Sequence, residues 1–378
     1  MISVDMFYIP FIWSKEMQLI CLLQLCFHPM SVGVYNATCL TVVSITRSGW
    51  LISWLPSWCP TSLSLLKDAE TKMLQGVQSK CIKEYVSISN GNRIWTLIFS
   101  HEVDNKTPLV LIHGFGGGVG LWILNFDTLV QQRTVYAFDL VGFGQSSRPQ
   151  FSNDSELAEK QFVQSIEEWR AKMGVEKMIL LGHNFGGYLA ASYTINYPLR
   201  VKHLILEEPW GFPVHEEQER PVPIWMKVLG AMLSPFNPLA GLRLAGPFGP
   251  VLIQRLRPDL KQKFSSVCDD ETTVTEYIYH CNAQTPSGET AFRNMTIPYG
   301  WAKQPMLQRI NQIQEDIPIT VIYGARSSID GNSGNQIKAL RPNSPVNIIV
   351  IRGAGHYVHA DQPEDFNQKV VDICSTVD

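Results

Sequence analysis

Gly182-His183-Asn184-Phe185-Gly186-Gly187 follows the apolar run Met178-Ile179-Leu180-Leu181. That context has the form Gly-x-Ser-x-Gly, in which a strand turns sharply into a helix and presents a serine for acyl transfer. The serine slot here holds Asn184. A carboxamide nitrogen shares its lone pair with the carbonyl, so a neighbouring histidine cannot activate it as it would a hydroxyl. The scaffold is that of a lipase or esterase, and the reacting atom is missing.

Other residues fit the same scaffold. His113-Gly114-Phe115-Gly116-Gly117-Gly118 follows the run Leu109-Val110-Leu111-Ile112. Such a His-Gly-x-Gly loop supplies half of an oxyanion hole, and the donors would be the backbone N–H groups of Phe115 and Phe185. A dinucleotide loop is disfavoured, because glycines 114, 116, 117, 118 and 120 fit Gly-x-Gly-x-x-Gly in no register. Asp139 ends the next apolar run and reads as a turn-shaping acid. Asp330 lies beyond Ile319-Thr-Val-Ile-Tyr-Gly324, and His356 follows Val346-Asn-Ile-Ile-Val-Ile-Arg. Nucleophile slot, acid, histidine is the chain order of α/β-hydrolase triads. Asp330 lies further past its strand than such an acid is expected to.

His356 and Asp361 also stand as His-x-x-x-x-Asp, a spacing found in glycerolipid acyltransferases, where the pair activates an acceptor hydroxyl. The competing reading of Asp361 is preferred here. Asp361-Gln-Pro-Glu364 looks like a helix start, with Asp as N-cap and Pro in the first turn. Lys261-Gln-Lys263 precedes Ser265-Ser266, an arrangement that a basophilic kinase could use.

The elements that must hold these residues alternate. Strands are expected at Leu109–His113, Val135–Asp139, Met178–His183, His203–Glu207, Ile319–Gly324 and Val346–Arg352. Helices are expected at Ser155–Met173 and Phe185–Tyr197. A hairpin, Ile82–Ser89 and Arg93–Ser100, turns at Asn90-Gly91-Asn92. This pattern predicts an α/β-hydrolase fold: a mostly parallel sheet, helices on both faces and a helical cap insertion. The core is assigned to 81–207 and 317–378, with the cap at 208–316, where proline and aromatic residues break the alternation.

Two segments precede the core. Residues 1–45 are an unassigned extension, and its run Met17–Phe27 lacks the basic start and small-residue cleavage site of a signal peptide. Residues 46–76 carry Trp50, Trp54 and Trp58 at four-residue spacing, with Pro56 and Pro60 breaking any long helix. Amphipathic indoles favour a lipid–water boundary, so this segment is expected to anchor at a lipid surface rather than span one. The bland alternative is a clamp packed on the domain. The chain carries 31 Lys+Arg against 34 Asp+Glu, which gives no electrostatic ground for binding nucleic acid. The eight cysteines show no zinc spacing, so no metal site is expected and reduced cytosolic thiols are the simplest reading.

GHNFGGYLAA, EEPWGFP, SPFNPLAGLRLAGPFG, TEYIYHCNAQTPSGETAF, NMTIPYGWAK and GAGHYVHADQPE carry a closer likeness. From about Thr46 to Asp378 the chain resembles the α/β-hydrolase domain-containing proteins that co-activate adipose triglyceride lipase. It also resembles their relatives, N-acyl phospholipid hydrolases that keep serine in the elbow. Asn184 places the chain with the co-activators. The resemblance implies a protein of lipid-droplet surface and cytoplasm that is held by Trp50, Trp54 and Trp58 and bound to perilipins at rest. On release it would stimulate the lipase without cleaving the ester itself. Arg326 and Gly355 resemble positions needed for lipase activation, and Ser266 the phosphorylation site for release from perilipin. The family has also been assigned acylation of lysophosphatidic acid through His356 and Asp361, with acyl-coenzyme A as substrate and no cofactor.

Replacing Trp50, Trp54 and Trp58 together with Ala should shift the protein from droplets to cytosol in a fractionation assay while its thermal melt is unchanged. Unaltered droplet binding would sink the anchor.

Overall fold

The computed structural model describes residues 58–100, 106–215, 237–268, 270, 272–297, 300–327, 329 and 331–377. Trp50, Trp54, Asp330 and the extension 1–45 lie outside the described residues. One eight-stranded sheet organises the rest: β1 (Ile82–Ser87), β2 (Arg93–Phe99), β3 (Leu109–Ile112), β4 (Val135–Phe138), β5 (Met178–His183), β6 (Val201–Glu207), β7 (Ile319–Gly324) and β8 (Val346–Ile351). Spatial order is β1-β2-β4-β3-β5-β6-β7-β8. β2 pairs antiparallel with β1 and β4, and the remaining pairs are parallel. The β1–β2 hairpin turns through Asn90 at φ 57° and Gly91 at φ 71°, the left-handed backbone that Asn and Gly tolerate best.

Two-residue periodicity explains why the central strands are apolar throughout. Leu109, Leu111, Ile179 and Leu181 face one core, and Val110, Ile112, Met178 and Leu180 face the other. The helices Ser155–Lys172 and Phe185–Asn196 cover the second face. Asp154 starts the first of them, its carboxylate accepting from Leu157 N–H at 2.9 Å. Leu63–Leu74 is an amphipathic helix capped by Ser62. It buries Leu66, Ala69, Met73 and Leu74 in the first core, so this part of segment 46–76 packs as a clamp. Between β6 and β7 the described insertion is helical: Ala240–Ala245, Gly249–Leu256, Pro258–Phe264, Thr273–Ala283 and Gly288–Met295.

Close backbone approach fixes the strand-to-helix turn after β5. A Cβ on Gly182 would collide with Gly186 O, and one on Gly186 would meet His113 O at 2.5 Å. Both contacts are with backbone, which cannot swing away. Below this turn lies a buried polar strut. Glu207, at the end of β6, accepts from the His359 backbone N–H at 2.9 Å and from His359 Nδ1 at 2.8 Å. Trp122 covers the His359 ring at 4.2 Å. A buried carboxylate needs such donors, because stripping water from an unpaired charge costs on the order of several kcal/mol.

This packing sets the expected response to substitution. Gly182→Ala should lower stability by about 2 kcal/mol or more, since backbone must move to admit the methyl group; an unchanged chemical-denaturation midpoint would refute the close approach. Stability should also depend on pH through the strut. Burial pushes the His359 imidazole down from 6.5 to about 3. The unfolded chain therefore binds this proton first, and stability present above about 6.5 drains as pH falls towards about 3. Glu207 acts in the opposite sense: burial raises it to about 7, so its contribution is lost as pH rises through that value. His359→Gln leaves Glu207 in place. The variant's Tm should fall less than the wild type's on acidification through the histidine window, and equal slopes would contradict the assignment.

Candidate functional site

Asn184 occupies the tip of the turn between β5 and the helix Phe185–Asn196. Its backbone is strained, with φ 51° and ψ −115°, a region that side-chain-bearing residues rarely enter. Four backbone bonds hold it there. Its N–H donates to Glu207 O at 2.9 Å, and its carbonyl accepts from Gly187, Tyr188 and Trp210 N–H groups. The nucleophile elbow is thus fully built around an asparagine.

The glycine loop after β3 reaches the elbow. Phe115 N–H points at Asn184 Oδ1 over 3.5 Å, so the carboxamide oxygen lies at the first expected oxyanion donor. Phe185, the other expected donor, is the first residue of the elbow helix. His113 locks the loop: one ring nitrogen donates to Gly114 O at 2.8 Å, and the other accepts from Leu140 N–H at 3.0 Å. Burial pushes this imidazole down to about 4, so it stays neutral and serves as a fixed bridge. Asp139 shapes the turns as expected, accepting from Val119 N–H at 2.8 Å and Gln145 N–H at 2.7 Å. Phe115, Phe185, Trp210 and Phe292 pack ring against ring beside the elbow and give it an apolar wall.

His356 stands next to the elbow, its ring centroid 4.9 Å from that of His183. Its Nδ1 faces Glu208 Oε2 at 3.6 Å. Sequence reasoning misses Glu208. The signal was present in two consecutive acids closing the apolar strand His-Leu-Ile-Leu-Glu-Glu. Glu208 is fully buried, with φ 46°. Its carboxylate also accepts from Gly324 N–H at 2.7 Å and from the Ser327 hydroxyl. Burial raises its pKa, and the contact with His356 opposes that rise. Among the described residues, Glu208 is thus a buried carboxylate facing His356 Nδ1, on the side from which a triad acid approaches its histidine.

The expected N-cap role of Asp361 is not what the structure shows. The helix Pro363–Ser375 begins after Gln362, and no side chain caps it. Asp361 closes the short helix Val358–Asp361 instead. Its Oδ2 accepts from Gly355 N–H at 2.7 Å, and its Oδ1 pairs with Lys263 at 3.1 Å. A loop N–H and an ammonium nearby outcompete a helix end for one carboxylate, because charge-assisted bonds are the stronger ones. Lys263 also pairs with Asp259 at 2.9 Å and lies 5.0 Å from the centre of the Tyr357 ring. The insertion is thereby pinned to the histidine loop. Lys263 is turned inward by these contacts, so Lys261 is left as the exposed base of the run before the exposed Ser266.

Arg326 and Gly355 are brought together. Arg326 N–H donates to Ala354 O at 2.8 Å, and its guanidinium reaches Gly353 O. Trp58 is 63% exposed, its indole N–H donating to Leu244 O at 2.9 Å while its ring lies open to solvent. As for metals, ligand atoms of His183, Glu207 and His359 lie within 4.8 Å of one another. Glu207 is already engaged by His359 donors and His183 Nε2 by His356 O at 3.1 Å, so the trio suits a hydrogen-bonded strut better than a cation. Among the described residues no helix is long and apolar enough to cross a membrane.

Comparison with known proteins agrees with this geometry. A profile described as alpha/beta hydrolase fold matches residues 107–363. The chain is 68% identical over 335 residues to the human protein named 1-acylglycerol-3-phosphate O-acyltransferase ABHD5, covering 88% of this chain and 96% of that one. It is 56% identical over 333 residues to a Bos taurus protein named (Lyso)-N-acylphosphatidylethanolamine lipase, covering 87% and 97%. Among solved structures, naproxen esterase from Bacillus subtilis superposes with a TM-score of 0.60 at 17% identity, over 82% of this chain and 97% of that one. A bacterial membrane phospholipase A gives 0.57 at 21% identity, over 90% and 99%. At those identities the two structures speak for the fold alone. Elbow, glycine loop, histidine and matched profile together show that the chain belongs to the alpha/beta hydrolase fold family.

Proposed function

We propose that the chain is a catalytically impaired α/β-hydrolase-fold protein of the lipid-droplet surface that co-activates adipose triglyceride lipase and so promotes triacylglycerol breakdown. One observation carries this reading: a fully built elbow presents Asn184, whose amide oxygen lies against the Phe115 N–H where a substrate oxygen would bind. Ester cleavage by the serine route needs a hydroxyl at the elbow, and Asn184 supplies none while its amide oxygen stands at one of the two expected oxyanion donors. The exposed Trp58 ring supports attachment to a phospholipid monolayer. Arg326 and Gly355 share one rim of the inert site, which gives the lipase a contiguous surface to meet. Perilipins would compete for the protein at rest.

The second reading is acyl-coenzyme A-dependent acylation of lysophosphatidic acid. It is favoured by the name of the human relative and by the His356–Asp361 spacing. Against it, Asp361 is committed to Gly355 and Lys263.

Purified protein should release no fatty acid from emulsified triolein alone, and should raise the rate several-fold when added to the triglyceride lipase. Asn184→Ser should retain that stimulation. Turnover by the protein alone that disappears in His356→Ala would overturn the proposal; loss of stimulation in a folded Asn184→Ser variant would instead make Asn184 part of the activating structure.

A further inference from the structure

We propose that Lys263 is a positioning residue: reaching from the insertion, it holds Asp361, and through Asp361 it fixes the loop that carries Gly355 and the rim that Gly355 shares with Arg326. What this does for lipase activation rests on the co-activator reading; the latch itself does not. The loop is one that needs fixing from outside. It runs Arg352-Gly353-Ala354-Gly355, with Gly353 at φ 77°, and its glycines leave the backbone free to take many shapes. Gly355 has no side chain to pack, so bonds to its backbone decide where it sits. On the sheet side, Arg326 N–H donates to Ala354 O at 2.8 Å, and the guanidinium reaches Gly353 O. On the other side, Gly355 N–H donates to Asp361 Oδ2 at 2.7 Å.

Asp361 divides its carboxylate between two elements. Oδ2 serves the loop, and Oδ1 pairs with the Lys263 ammonium at 3.1 Å. Lys263 stands on the helix Pro258–Phe264 of the insertion, where Asp259 also holds the ammonium at 2.9 Å. Asp259 is itself gripped by Arg257, at 2.9 and 3.0 Å. Arg257 and Lys263 bring their charges to 5.2 and 5.0 Å from the centre of the Tyr357 ring. That ring in turn lies 5.1 Å from the ring of His183, the residue before Asn184. The insertion thus grips the histidine loop by charge, at a place where the Lys263 and Asp361 side chains are 12% and 11% exposed. A pair so shielded is screened weakly. Deprived of its cation there, a carboxylate turns towards water rather than stay buried and unpaired. Gly355 N–H then loses its acceptor, so loss of Lys263 is felt at a backbone group that it reaches through Asp361.

The test compares the full-length protein with its Lys263→Met variant by hydrogen exchange, read by mass spectrometry on peptides that bracket Gly355. Methionine keeps the apolar stem of lysine and removes the charge. With the thermal melt intact, exchange at Gly355 should be roughly fivefold faster or more, while the strand Met178–His183 exchanges as before. Asp361→Ala should give the same acceleration. Adding Lys263→Met to it should change nothing further, because the two residues act through one bond. Lys263→Gln stands in where either variant fails to fold. Stimulation of the triglyceride lipase by Lys263→Met should fall to about half or less. An unchanged exchange rate at Gly355 in folded Lys263→Met would overturn the proposal. So would a double variant that exceeds Asp361→Ala, or undiminished stimulation by a variant whose Gly355 exchanges faster. Wild-type protein that fails to stimulate the lipase counts against co-activation alone, and the exchange rates then decide the latch by themselves.

Discussion

Two neighbouring carboxylates at the end of β6 hold the functional face together. Glu207 binds His359 through backbone and ring, and its own carbonyl receives the Asn184 N–H. Glu208 turns the other way on a left-handed backbone and reaches His356, Gly324 and Ser327. One strand end therefore ties the elbow, the β7 loop and the histidine loop to each other. Both acids are fully buried, so every donor they gather offsets a large desolvation cost. Removing either would leave the histidine loop without its anchor and the partner groups unsatisfied in a dry site.

The elbow survives intact around a residue that cannot react as serine does. The strained backbone at Asn184 and the glycines at 182 and 186, whose places admit no Cβ, are costly features to keep without a use. In the co-activator reading their use is shape. The inert site fixes the rim on which Arg326 and Gly355 meet, and a partner lipase would recognise that rim.

Lys263 gives the insertion a part in this. Its ammonium bridges Asp259 within the insertion and Asp361 on the histidine loop, while Asp361 in turn holds Gly355 N–H. These groups are largely shielded from water, so the pairs are screened less than surface salt bridges. Ser266 follows Lys263 by three residues, just past the helix end, and is exposed where Lys263 is turned inward. Charge added there acts close to the latch between the insertion and the loop carrying Gly355.

Much of the fold could be read directly from residue pattern. Apolar runs such as Leu109–Ile112 and Met178–His183 are strands because residues buried on both faces leave no room for polar alternation. Asn184 was legible for the same local reason: an elbow is written by adjacent glycines, and the residue between them is its nucleophile or the lack of one. Glu208 and the true role of Asp361 were not legible. Which acid meets His356, and which donor claims Asp361, depends on groups far apart in the chain arriving within reach of one another. Capping logic considered Asp361 against its neighbours in sequence, whereas its partners lie at Gly355 and Lys263. Local chemistry is written in the order of residues; competition for a buried carboxylate is decided only when the sheet, the loops and the insertion close around it.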